Sequence, residues 1–123
     1  AFLRGLGDTD FSLMFKKKNK FYDYPLIKIT FKSKNLIKDI IIILKEFDFK
    51  FGKIIKEVYF DYRFNKNYKK YSINLYGREN LKKWMKIIGF NNIRQSTKYK
   101  IWKKYGFCIP NTSLKERIEI LNN

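Results

Sequence analysis

The chain has 123 residues, with 28 Lys+Arg against 11 Asp+Glu and a formal net charge of +17. One cysteine, Cys108, and no histidine exclude an intramolecular disulfide, a Cys/His zinc site and Ser-His or Cys-His catalysis. The longest unbroken apolar run, Ile40 to Leu44, is too short to span a bilayer, so no membrane partner is expected. A reducing, intracellular setting (cytoplasm or nucleoid) is the expectation. The length fits one domain over residues 1–123, with 93–123 as a C-terminal extension packed on it. A surplus of positive charge this large points to a polyanion, most often nucleic acid. A codon bias toward Lys, Ile, Asn, Tyr and Phe explains many lysines, but not the scarcity of acids.

Up to Asp10 the apolar residues Phe2, Leu3 and Leu6 have helix spacing. Ala1 and Gly5 are small and four apart, where a second helix can approach closely. Asp8 and Asp10 then fall in the last turn of a short helix. There the helix dipole disfavours each anion by roughly 0.3–1 kcal/mol. A bound cation would reverse that penalty; an ordinary turn or cap is the plain alternative.

Beyond Asp10 the period changes to two. Phe11, Leu13 and Phe15 alternate with Ser12, Met14 and Lys16 in a strand running to about Asn19. A loop with Tyr22, Asp23 and Pro25 is expected next. A strand from Leu26 to Lys32 follows, with Ile27, Ile29 and Phe31 inward and Lys28, Thr30 and Lys32 outward. Ser33 caps a helix over roughly 34–47, whose apolar face is Leu36, Ile37, Ile40, Ile41 and Leu44.

The order repeats. Lys53 to Phe64 reads as a strand with Val58, Phe60, Tyr62 and Phe64 on one face and Glu57, Tyr59, Asp61 and Arg63 on the other. Phe60, Tyr62, Phe64 and Trp84 are expected to fill the core. Asn65-Lys66-Asn67 makes a tight turn. A strand follows in which Lys70, Ser72, Asn74 and Tyr76 alternate with Tyr71, Ile73 and Leu75. A helix over Glu79–Ile88 closes at Gly89. Ser113 and Glu116 have capping-box spacing for a last short helix. Trp102 fits either a core or a phosphate-side position.

This order predicts an α+β fold, αββαββα, with a four-stranded antiparallel sheet and helices on one face. The other face would carry Lys16, Lys18, Lys28, Thr30, Lys32, Arg63, Lys70 and Asn74, with Tyr59 and Tyr76 between them. Arg and Lys reach guanine acceptors in a major groove, Asn pairs with adenine, and the remaining lysines bind phosphate.

Phe2-Leu3-Arg4-Gly5-Leu6-Gly7-Asp8-Thr9-Asp10, followed by Ser12, resembles the defining motif of the LAGLIDADG homing endonucleases. Ile87-Ile88-Gly89-Phe90, Lys98 to Gly106, Pro110 and Glu116-Arg117 resemble the C-terminal third of archaeal members. The resemblance implies a saddle-shaped sheet and a homodimer through the motif helices, with Ala1, Arg4, Gly5 and Asp8 at the interface. It implies double-stranded DNA as partner and cleavage of a long pseudo-palindromic site with Mg²⁺ (or Mn²⁺) on Asp10. Asp8 would cap or support the turn, and Lys32, Lys34 and Arg78 are candidates for the basic residues around the metal. Gly7 stands where the family has a bulky apolar residue, and Phe11 where a Gly closes the motif. Those two departures keep open a non-cleaving DNA or RNA binder on the same fold, maturase-like or a degenerate endonuclease. A ribosomal or tRNA-associated protein would account for the charge but not for the motif.

Overall fold

The computed structural model describes residues 11–18 and 20–122. The motif and its candidates Ala1, Arg4, Gly5, Asp8 and Asp10 lie outside the described residues. The alternating segments form four strands, β1 (Phe11–Lys18), β2 (Phe21–Phe31), β3 (Ile55–Asp61) and β4 (Lys66–Tyr76). They make one antiparallel sheet in the order β1-β2-β4-β3. Among the described residues four helices accompany it: α1 (Lys34–Glu46), α2 (Arg78–Ile87), α3 (Ile93–Tyr105) and α4 (Leu114–Leu121).

Register fixes which side chains share a face, because a period of two sends every second residue the same way. Leu13 opposes Ile27, which opposes Leu75; Phe11 opposes Ile29, which opposes Ile73. These inward residues join Ile37, Ile40 and Leu44 of α1 and Leu81 and Trp84 of α2 in one buried core. Full burial of each such aliphatic side chain contributes about 1.5–3 kcal/mol. Trp84 lies at its centre, with ring centroids 5.2 Å from Phe11, 5.5 Å from Phe90 and 6.0 Å from Phe49. Trp102 also belongs to the core, stacked on Phe15 at 5.8 Å.

The element ends follow local chemistry. The Ser33 hydroxyl accepts from Leu36 N at the start of α1, and Ser113 with Glu116 closes a capping box on α4. Gly89, at φ +77, follows α2 and donates to the Trp84 carbonyl. Asn80, nearly buried, donates to the Lys50 and Tyr76 carbonyls and accepts from Lys50 N. It thereby ties the segment before β3 to the end of β4.

Three expectations are corrected. The segment with Tyr22, Asp23 and Pro25 is the first half of β2 rather than a loop. Proline is tolerated because β4 pairs with β2 only from Leu26 onward. On that unpaired side the Pro25 carbonyl accepts from Gly77 N at 2.9 Å. Asp23 is the extra residue of a bulge between the Lys16–Tyr24 and Lys17–Tyr22 pairs, and Trp102 Nε1 donates to its carbonyl. Second, Phe60, Tyr62 and Phe64 are exposed at 40, 87 and 62%, not core. Among the described residues the main helix contacts go to β1, β2 and β4, which leaves Phe60 on β3 exposed, while β3 ends at Asp61 and puts Tyr62 and Phe64 in the turn before β4. Third, α3 has no counterpart among the expected elements. It packs against β1 and against α4.

Candidate nucleic-acid interface

The sheet face opposite α1 and α2 carries the outward residues of all four strands. Cross-strand rows run Ser12–Lys28–Asn74, Met14–Leu26–Tyr76 and Thr30–Ser72–Ile55, with Lys70 opposite Glu57 and Tyr68 opposite Tyr59. Lys16 and Lys32 are exposed, and Lys28, Thr30, Lys70 and Asn74 are half-exposed. Lys18 lies at the end of β1, opposite Phe21.

Aromatic rings interleave with the cations. Lys16 Nζ sits 5.7 Å from the Tyr76 ring, Lys32 Nζ 5.4 Å from Tyr68 and Lys70 Nζ 5.6 Å from Tyr59. Each such contact is worth about 0.5–1 kcal/mol at an exposed site, enough to hold the ammonium groups above the sheet. The tyrosines pair as Tyr24–Tyr76 and Tyr59–Tyr68, stacked at 6.3 and 5.6 Å. Asn74 Nδ2 donates to the Tyr76 hydroxyl at 3.1 Å. Asn74 Oδ1 and Ser72 Oγ are buried with no partner among the described residues.

Acids are few on this face and already paired. Glu57 bridges Lys70 at 3.2 Å and Lys28 at 3.8 Å. Asp61 holds Arg63 through two side-chain bonds, Nε at 3.2 Å and Nη2 at 3.1 Å, and accepts from Arg63 N. The bonded Arg63 guanidinium is the first cause that lowers the Asp61 pKa below the usual carboxylate range. Arg63 therefore lies in the β3–β4 turn, clasped by an acid and stacked over Phe64, rather than on the open face.

The three candidates for a basic metal surround are not brought together. Lys32 and Lys34 follow the end of β2, whereas Arg78 follows the end of β4, whose last residue, Tyr76, opposes Leu26. Leu26 and Lys32 are six residues apart on an extended strand, roughly 20 Å. Arg78 thus belongs to the far end of the sheet, where it pairs with Asp23 at 3.5 Å. Arg78 is therefore not near Lys32 and Lys34. Among the described residues no three Asp, Glu or Cys side chains cluster closely enough to hold a metal.

The sequence reading missed Tyr24, Tyr68 and the clamping role of Glu57. Tyr68 was visible as the next step back in the Lys70-Ser72-Asn74-Tyr76 alternation. Tyr24 was hidden by Pro25. No helix among the described residues is long and apolar enough to cross a membrane. The chain matches no protein-family model, no curated protein and no solved structure.

Proposed function

We propose that the chain binds double-stranded DNA on the open face of its sheet and cleaves a long pseudo-palindromic site as a homodimer of the LAGLIDADG homing type. The observation that carries the binding step is the open face itself, where lysines stand over tyrosines. Four strands about 4.8 Å apart form a surface comparable in width to a major groove of about 12 Å. Lys16, Lys28, Lys32 and Lys70 meet guanine acceptors or phosphates, with Asn74 between them.

The cutting step rests on the motif-like segment of the sequence. Asp10 from each protomer would hold Mg²⁺, which supplies an activated water and stabilises the departing oxygen. Lys28, Thr30 and Lys32, along β2, bind and orient the phosphodiester. A symmetric pair is required because one motif supplies one such acid and two strands must be cut.

The test is a duplex library incubated with the protein and Mg²⁺. Wild type makes double-strand ends; Asp10→Asn retains the gel shift and makes none. Cleavage that survives Asp10→Asn removes the metal role. A second reading, a non-cleaving binder on the same surface, is favoured by Gly7 and Phe11 at the motif. It predicts a gel shift with no ends in either protein.

A further inference from the structure

A second basic surface lies on the opposite side of β1 from β2. There α3 and the segment 108–114 enclose a cleft of about 700 Å³ against the free edge of β1. Lys16, Arg94, Lys98 and Arg117 line it, and among the described residues no Asp or Glu does. None of the four forms an ion pair among the described residues.

One of these cations is buried and a second is half-buried. Arg117 is 5% exposed, yet every bond it makes goes to a neutral oxygen. It donates to Thr97 Oγ1 at 2.9 Å, to the Thr112 carbonyl and hydroxyl, and to the Arg94 carbonyl at 3.4 Å. Lys98 Nζ donates to the Leu13 carbonyl at 3.1 Å, again a neutral acceptor. Burial first, and then the positive Arg117, push the Lys98 pKa below that of an ordinary lysine. Buried charge is costly unless a counter-charge accompanies it. A buried and a half-buried cation lining an open cleft, with no acid paired to either among the described residues, are therefore arranged for an anion.

We propose that this cleft seats one phosphodiester of a nucleic-acid strand that leaves the open sheet face across β1. Lys16 connects the two surfaces, since it lines the cleft and also stands over Tyr76 on the open face. The bound phosphate accepts from Lys98 and Arg94, while Arg117 supplies charge from behind through its fixed position. Met14 gives the sugar an apolar wall. This inference rests on the proposed nucleic-acid reading and extends it beyond the sheet.

The experiment is amide NMR of the full chain at constant ionic strength, first with inorganic phosphate replacing chloride and then with a short random-sequence duplex. The expected result is saturable shifts with phosphate confined to Arg94–Lys98 and Asn111–Thr112, and movement of the same amides with the duplex. Lys98→Gln, which keeps a donor for Leu13, and Arg94→Gln, at an exposed position, should each weaken phosphate about tenfold. Shifts spread over all basic surfaces, or none, overturn the site. Phosphate shifts without duplex shifts in the cleft make it a free-anion site and overturn the phosphodiester assignment. If the duplex moves sheet amides but not the cleft, this inference fails and the proposed function stands; if it moves neither, both fail.

Discussion

Glu57 limits how freely the open face can meet an anion, because it occupies Lys28 and Lys70 together. All three side chains are a third or more exposed, so the pairs themselves contribute little to stability. Their effect is on binding. Glu57→Gln should tighten duplex binding severalfold at low salt and leave the free energy of unfolding within about 0.5 kcal/mol of wild type. Titration by fluorescence anisotropy checks the first outcome and chemical denaturation the second. Lys98 gives a pH prediction of fixed sign. Its folded-state pKa is depressed by burial, so the unfolded chain holds more protons between the two pKa values. Stability due to this group therefore rises with pH through that window. Lys98→Gln removes the term, so in chloride buffer its advantage over wild type at neutral pH should shrink as pH approaches the ordinary lysine value. Urea midpoints of the two proteins from pH 7 to 10.5 measure this difference.

At the scale of elements, the β3–β4 hairpin and the central strands make opposite predictions from the same residue type. Phe11 is 2% exposed and contacts Trp84, so Phe11→Ala should cost about 3–5 kcal/mol. Phe60 is 40% exposed on a strand that no helix covers, and Phe60→Ala should cost well under half as much. Denaturation of the two variants compares them directly. Ser113→Ala should remove about 1 kcal/mol from α4 by opening its capping box. β1, β4 and the second half of β2 were legible in the sequence because half of each meets a hydrophobic layer and half does not. Phe60 misled because alternation says which residues share a side, not whether a layer covers that side, and Tyr62 and Phe64 misled because the strand ends at Asp61 and the alternation runs on into the turn. α3 was illegible for a different reason. Its inward positions include Gln95 and Lys98, which bond the Leu13 N–H and carbonyl, and Thr97, which accepts from Arg117. A helix whose buried face satisfies a strand edge and a buried guanidinium has no apolar period to read. The same bonds block the free edge of β1 from pairing with another chain.

The whole molecule divides its charge between two kinds of surface. One is the open sheet, continued over β1 into the α3 cleft; the other is the solvent side of the helices. The open face was largely legible, since Lys16, Lys28, Thr30, Lys32, Lys70 and Asn74 follow from period-two alternation alone. The cleft was not, because its residues come from β1, α3 and the segment before α4, and only packing joins them. Net charge by itself would attract nucleic acid to any side of the protein. The central claim is that the sheet side is the one used. The deciding measurement is duplex affinity against salt for two variants that each lose four positive charges. One carries Lys16, Lys28, Lys32 and Lys70 changed to Gln; the other carries the exposed helix lysines Lys38, Lys45, Lys82 and Lys86 changed to Gln. The sheet variant should lose more than about tenfold in affinity, and its log K against log salt slope should flatten by about 3–4, close to 0.9 per phosphate contact. The helix variant should stay within about threefold of wild type with an unchanged slope. Equal losses in the two would contradict the claim.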